Sequence, residues 1–123
     1  MEYLNLSKID AYTEAFALGN EIWYEVSGWE KFDRWTIGVQ ITRSTDSISA
    51  NIAEGFGRFH KKDKIRFYRY SFGSMEETRD WLRKAKDRGL IAQEKSQSLL
   101  AKVDKLPLLI NQLIKYTDQK LKY

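Results

Sequence analysis

The sequence predicts an all-α protein, an up-down-up-down antiparallel four-helix bundle, and three observations carry that expectation. Apolar residues recur at three- and four-residue intervals through four long segments. Alternating apolar and polar runs, the mark of half-buried strands, are almost absent. The segments are joined by connections of a few residues, which return each helix antiparallel to the one before. At 123 residues the chain suits one domain, residues 1–123, with a real core. Its 42% hydrophobic and 14% aromatic content excludes wholesale disorder.

The first helix is expected from about Ser7, as N-cap with Asp10 three residues on, to about Ser27, where Gly28 ends it. Ile9, Tyr12, Ala15, Phe16, Ile22, Trp23 and Val26 follow helical spacing along it. The stretch WEKF then leads to Asp33, the expected cap of a second helix running to about Arg58 or Phe59. A third helix is expected from Lys61 to Arg88, with Gly89 just beyond its end in a left-handed stop. Ile65, Tyr68, Phe72, Met75 and Leu82 form its inward face, followed by Ala85.

The fourth helix starts near Ala92 and runs toward Leu121, with Pro107 inside it. An interior proline loses a hydrogen bond and clashes with the preceding turn, at a cost of about 3 kcal/mol. A kink or short break is therefore expected over 104–107, with Leu108, Leu109, Leu113 and Ile114 resuming the apolar face.

The second helix has no ordinary water-facing side. At about 100° per residue, Ile37, Ile41, Ile48, Ile52 and Phe59 fall on one apolar stripe. Gln40, Arg43, Ser47, Asn51, Glu54 and Arg58 form a polar stripe beside it. The remaining arc holds Thr42, Asp46, Ser49, Ala50, Ala53 and Gly57, almost all small, with Phe56 the exception. A helix of this kind is expected to be packed on several sides. The polar stripe reads either as a groove or as a buried hydrogen-bond network that fixes helix register, closed by Glu77 of the third helix. Arg43 would need such a carboxylate, because an unpaired buried charge is prohibitive. Gly55 and Gly57 each cost up to about 1 kcal/mol in a helix, which close approach of another helix would offset. Gly73 and Ser74 in the third helix read as a similar small-residue contact. A phosphate loop is disfavoured, since NIAEGFGR lacks both a preceding strand and the spacing of the glycine fingerprint.

Composition narrows the chemistry. There is no Cys, so disulfides and thiolate metal sites are absent. His60 is the single histidine, which leaves no histidine cluster for a metal or a proton relay. No paired-carboxylate, Ser–His–Asp or Glu-x-x-His arrangement is evident, and adjacent Glu76 and Glu77 point to different faces. No catalytic residue, metal site or cofactor is expected. No apolar run reaches the roughly 18 residues that span a bilayer. The opening MEYLNLSKID lacks the pattern of a secretory signal, so a cytoplasmic protein without membrane association is expected.

The net charge of +4 conceals opposed blocks. Residues 1–33 carry two Lys against seven Asp or Glu, a local charge of −5. Residues 58–70 carry six Lys or Arg against Asp63, a local charge of +5. Residues 86–123 carry eight basic and four acidic residues, a further +4. The middle block holds Arg58, Lys61, Lys62, Lys64, Arg66 and Arg69, with Phe59, Phe67, Tyr68 and Tyr70 interleaved. Cations beside exposed rings neutralise phosphates and stack on unpaired bases. The other reading places the rings inward and the charges on a solvated face. No known nucleic-acid motif accompanies the patch.

A family resemblance runs through these same residues. Gln40-x-x-Arg43, Ser47-Ile48-x-x-Asn51-Ile52-Ala53-Glu54-Gly55 and Arg58 resemble the 23S ribosomal RNA intervening-sequence family. Phe67, Gly73-Ser74 with Glu77, and Gly89-Leu90-Ile91 extend the likeness, which covers about Ile9 to Ile91. Pro107 departs from the uninterrupted last helix of that family. The resemblance implies a four-helix bundle that assembles as a ring-like homopentamer, with no enzyme activity or cofactor. A related branch comprises basic accessory proteins of retroelements, which implies RNA, DNA or a nucleic-acid enzyme as partners. The alternative is a structural or protein-interaction module whose charge blocks steer assembly.

Overall fold

The computed structural model describes residues 5–123; the first four residues of the MEYLNLSKID stretch lie outside them. Four long helices make up the fold: α1 (Asp10–Ser27), α2 (Val39–Phe56), α3 (Lys61–Asp87) and α4 (Gln93–Lys120). No strand occurs among the described residues. Each helix packs on the next and α4 closes against α1, so the expected up-down-up-down bundle is what forms. Its centre is made by Leu18 and Ile22 of α1, Ile41, Ile48 and Ile52 of α2, Met75 and Leu82 of α3, and Leu99, Val103, Leu106 and Ile110 of α4. Each such side chain stabilises the fold by about 1.5–3 kcal/mol when removed from water. The isoleucine stripe of α2 is therefore core, with Ile37 joining it from the segment before.

The helix starts differ from expectation. Residues Leu6–Lys8 form a 3₁₀ turn, and the Asn5 side chain accepts the Ser7 backbone N–H at 3.0 Å. Ser7 is therefore inside a turn capped by Asn5, and Ile9 stands at the N-cap of α1. Asp33 does not cap the second helix either. An α-turn, Lys31–Asp33, runs into a π-helical stretch, Arg34–Gly38, which leads directly into α2. The wider π turn admits one more residue per turn than periodicity anticipates. Gly38 lets this stretch lie close to α1, since a Cβ there would stand 2.8 Å from Val26 Cγ1.

The ends follow glycine chemistry more closely. α1 stops at Gly28. α3 closes with Gly89 at φ +75°, where the Gly89 and Leu90 N–H groups donate to Lys86 and Ala85 carbonyls, a paired stop that satisfies two otherwise orphaned acceptors. α2 ends at Phe56 with Gly57 as its C-cap, so Phe59 falls in the following turn rather than on the isoleucine stripe. Its ring is 84% exposed. Phe16, Trp23 and Leu108, all expected on apolar faces, are exposed as well.

α4 runs unbroken through Pro107, so the short break expected there does not form. Val103, Leu106 and Ile110 are fully buried on either side of the proline, and the Asp104 carboxylate receives the Arg79 guanidinium of α3 at 2.8 Å. These anchors offset the lost hydrogen bond. No helix among the described residues is long and apolar enough to cross a membrane.

Two seams set the geometry of the bundle. Between α2 and α3 the contacts are small and hydroxylated. Thr78 Oγ1 donates to Ser44 Oγ at 3.0 Å, Ser47 and Ser74 share a hydrogen bond of 2.9 Å, and Ser71 Oγ donates to the Ile48 carbonyl. Gly55 lies against the Tyr68 ring and the Lys64 carbonyl. Gly55 thus serves the close approach expected of it. Gly57 does not, having only its own helix's carbonyls near it, and nothing lies within 4 Å of a Cβ placed on Gly73. Between α1 and α4 the seam is electrostatic. Lys95 Nζ donates to Glu21 at 2.9 Å, and Lys102 Nζ donates to the other carboxylate oxygen. Burial pushes the Glu21 carboxyl up, but the hydrogen bonds from Lys102 and Lys95 outweigh it and hold the group below its ordinary range. Part of the acidic block is thereby used within the chain.

Candidate nucleic-acid interface

Six cations were expected at the junction of the second and third helices, and the fold gives them unequal tasks. Lys61 is a tether. Its ammonium donates to the Asp118 and Leu121 carbonyls, both at 3.1 Å, and pairs with the Asp118 carboxylate at 3.5 Å. Those carbonyls belong to the end of α4, where a cation also complements the helix dipole. Lys64 does the same for α2, donating to the Phe56 carbonyl at 2.7 Å. Burial lowers its pKa. Arg58 pairs with Glu54 at 3.5 Å and lies 4.5 Å over the Phe67 ring. Arg66 pairs with Asp63. Among the described residues Lys62 and Arg69 have no side-chain hydrogen bond or ion pair, and both are exposed.

The fold adds residues that the linear sequence did not bring to this place. The Lys61 backbone N–H donates to the Tyr123 carbonyl at 2.6 Å, so the segment after α4 folds over the start of α3. Lys122 and Tyr123 thereby join the basic turn, with Lys120 close by in sequence. A hollow of about 430 Å³ lies between the two segments, lined by His60, Lys61, Lys62, Ile65, Asp118 and Tyr123. The only signal for this was the positive block over 86–123, which carries no information about where it docks.

The polar stripe of α2 lies along the edge between α2 and α3 rather than fully inside, with Gln40, Ser47 and Asn51 half-buried and Arg43, Glu54 and Arg58 exposed. Glu77 of α3 meets it as expected. Arg43 donates to Gln40 at 2.6 Å and to Glu77 at 3.2 Å, and Trp81 Nε1 donates to the same Glu77 oxygen at 3.1 Å. Farther along, Asn51 donates to the Ser47 carbonyl and hydroxyl, and Glu54 meets Arg58. Arg43–Glu77 and Ser47–Ser74 cross from α2 to α3 along this edge, where the Arg43 side chain is 63% exposed. Desolvation is small there, so the charges need little compensation. The polar residues buried among those described are instead Ser44, Thr45, Ser71, Thr78, Ser96 and Thr117, which pattern reading missed. Among the described residues no group of three or more His, Cys, Asp or Glu side chains could hold a metal ion.

A separate face is apolar. Trp23, Trp35 and Val39 are more than half exposed around the π-helical stretch, and Phe16 lies two turns earlier on α1. A hollow of about 360 Å³ is lined there by Trp23, Val26, Val39, Thr42 and Arg43. Of the small arc of α2, Asp46, Ala50 and Gly57 are exposed, while Thr42, Ser49 and Ala53 are half-buried and Asp46 lies against Gly19 of α1. Apolar area gathered in this way is unusual on a chain that stays alone in water.

A family model described as 23S rRNA-intervening sequence protein matches residues 7–112. Among solved structures, a protein of unknown function from the S23 ribosomal protein family of Bacteroides thetaiotaomicron is similar, with 22% sequence identity and a TM-score of 0.78. The alignment covers 85% of this chain and 95% of that one, and at this identity the likeness speaks for the fold alone. No curated protein matches.

Proposed function

Because the chain belongs to the 23S rRNA-intervening sequence protein family, we propose that it is a non-enzymatic homopentameric bundle. In this reading it binds RNA, or a nucleoprotein, through its basic end. The observation that carries the proposal is the convergence of two chain segments, Arg58–Arg69 and Lys120–Tyr123, on one end of the bundle. Lys61 neutralises Asp118 there, while Lys62 and Arg69 remain free to meet phosphates. A ring repeats the patch by symmetry, so several weak contacts act together.

Neutralising the free cations separates this reading from a purely structural one. Lys62→Ala with Arg69→Ala is expected to weaken binding of a structured RNA about tenfold and to flatten the salt dependence by about two phosphate contacts. Gel-shift titration at about 50 mM and about 200 mM salt measures both. Unchanged binding by the double variant, or no binding by the wild type even at low salt, counts decisively against the proposal. The second reading, a protein-interaction module, is favoured by the exposed face around Trp23, Trp35 and Val39. That face also supplies the assembly surface of the first reading.

A further inference from the structure

The hollow between the start of α3 and the segment after α4 has a composition that the general basic character of this end does not explain. Two rings stand at it without covering apolar core. Tyr123 is 70% exposed on one wall, and His60 on the other meets the exposed Phe59 edge-on at 5.1 Å between centroids. Cations flank the rings: Lys62 without a partner, and Lys122 with its ammonium 5.6 Å from the Tyr123 ring centroid. The one side-chain carboxylate in the lining, Asp118, is already paired with Lys61. The volume of about 430 Å³ falls in the range of pockets that hold small organic groups.

A duplex presents its phosphates but keeps its base faces stacked, and the deep groove of an RNA duplex does not admit side chains. A single strand offers both a phosphate and a free π-face. From this match we propose that the hollow binds one unpaired nucleotide of a single strand. Its base lies between His60 and Tyr123, and its phosphates meet Lys62 and Lys122. The inference rests on the nucleic-acid reading above and narrows it to unpaired strands.

Fluorescence anisotropy with a labelled single-stranded RNA, the same sequence as single-stranded DNA, and the corresponding RNA duplex tests it. The single strand is expected to bind at least tenfold tighter than the duplex. Tyr123→Ala is expected to weaken single-strand binding about tenfold with the salt slope unchanged, since stacking releases no counterions. Tyr123→Phe should restore it. Lys62→Ala should instead lower the slope by about one phosphate contact. Equal binding of RNA and DNA strands assigns recognition to the base and phosphate they share, and preference for RNA adds the ribose hydroxyl. Duplex binding as tight as single-strand binding, or a Tyr123→Ala protein that binds like the wild type, overturns the site while leaving the basic-end reading intact. Absence of binding to all three probes at low salt removes both.

Discussion

Gly55→Ala is expected to destabilise the bundle by about 2 kcal/mol, while Gly73→Ala stabilises the single chain by up to about 1 kcal/mol. Both glycines sit inside helices, so both substitutions gain the same helical propensity of about 1 kcal/mol. They differ in what the new methyl meets. At Gly55 it would lie 2.7 Å from Tyr68 Cε1 and 2.8 Å from the Lys64 backbone oxygen. Tyr68 is buried and the carbonyl belongs to α3, so neither can give way alone. The two helices must part, which loosens the hydroxyl seam and the Lys64–Phe56 hydrogen bond beside it. At Gly73 nothing stands within 4 Å. Thermal unfolding should show the pair shifting Tm in opposite directions, by several degrees each. A neutral Gly55→Ala would refute the close-approach explanation of that glycine.

The second large effect concerns assembly. Trp23→Asp combined with Val39→Asp is expected to reduce the mass in solution from about five chains to one, because a closed ring fails when its repeated contact fails. Both side chains are more than half exposed on the single chain, so the helices themselves should survive. Far-UV circular dichroism reports the fold, and light scattering reports the mass. A folded double variant of unchanged mass places the contact elsewhere. A wild-type monomer removes the assembly proposal itself.

How far the fold was legible depended on whether the signal was local. α1 ends at Gly28 in ordinary right-handed geometry, whereas Gly89 marks its helix end through a left-handed backbone that neighbouring residues do not alter. Apolar spacing located the isoleucine stripe for the same reason. Ser7 misled because Asn5, two residues earlier, accepts its N–H and closes a turn first. The π-helical stretch leaves no mark in periodicity, and Pro107 was offset by buried neighbours that only tertiary packing supplies. The candidate site was less legible still. Lys61 and Lys62 are neighbours of one type, yet one is held by groups 57 residues away and the other is free. A cation count shows the sign of a patch, whereas its working members depend on which helix ends need a donor.

The Glu21 junction has a consequence for chain topology. Lys95 lies 74 residues from Glu21, whereas Ser47 and Ser74 across the hydroxyl seam are 27 apart. Loop-closure entropy grows only as the logarithm of length, so the longer closure costs roughly 1 kcal/mol more than the shorter one. A single carboxylate, a quarter exposed and shared by two ammonium groups, is of the size that meets such a difference. The first and last helices are therefore joined at little greater entropic cost than adjacent ones. A few extra residues in the connections after α1 or after α3 would add less than about 0.1 kcal/mol to that closure.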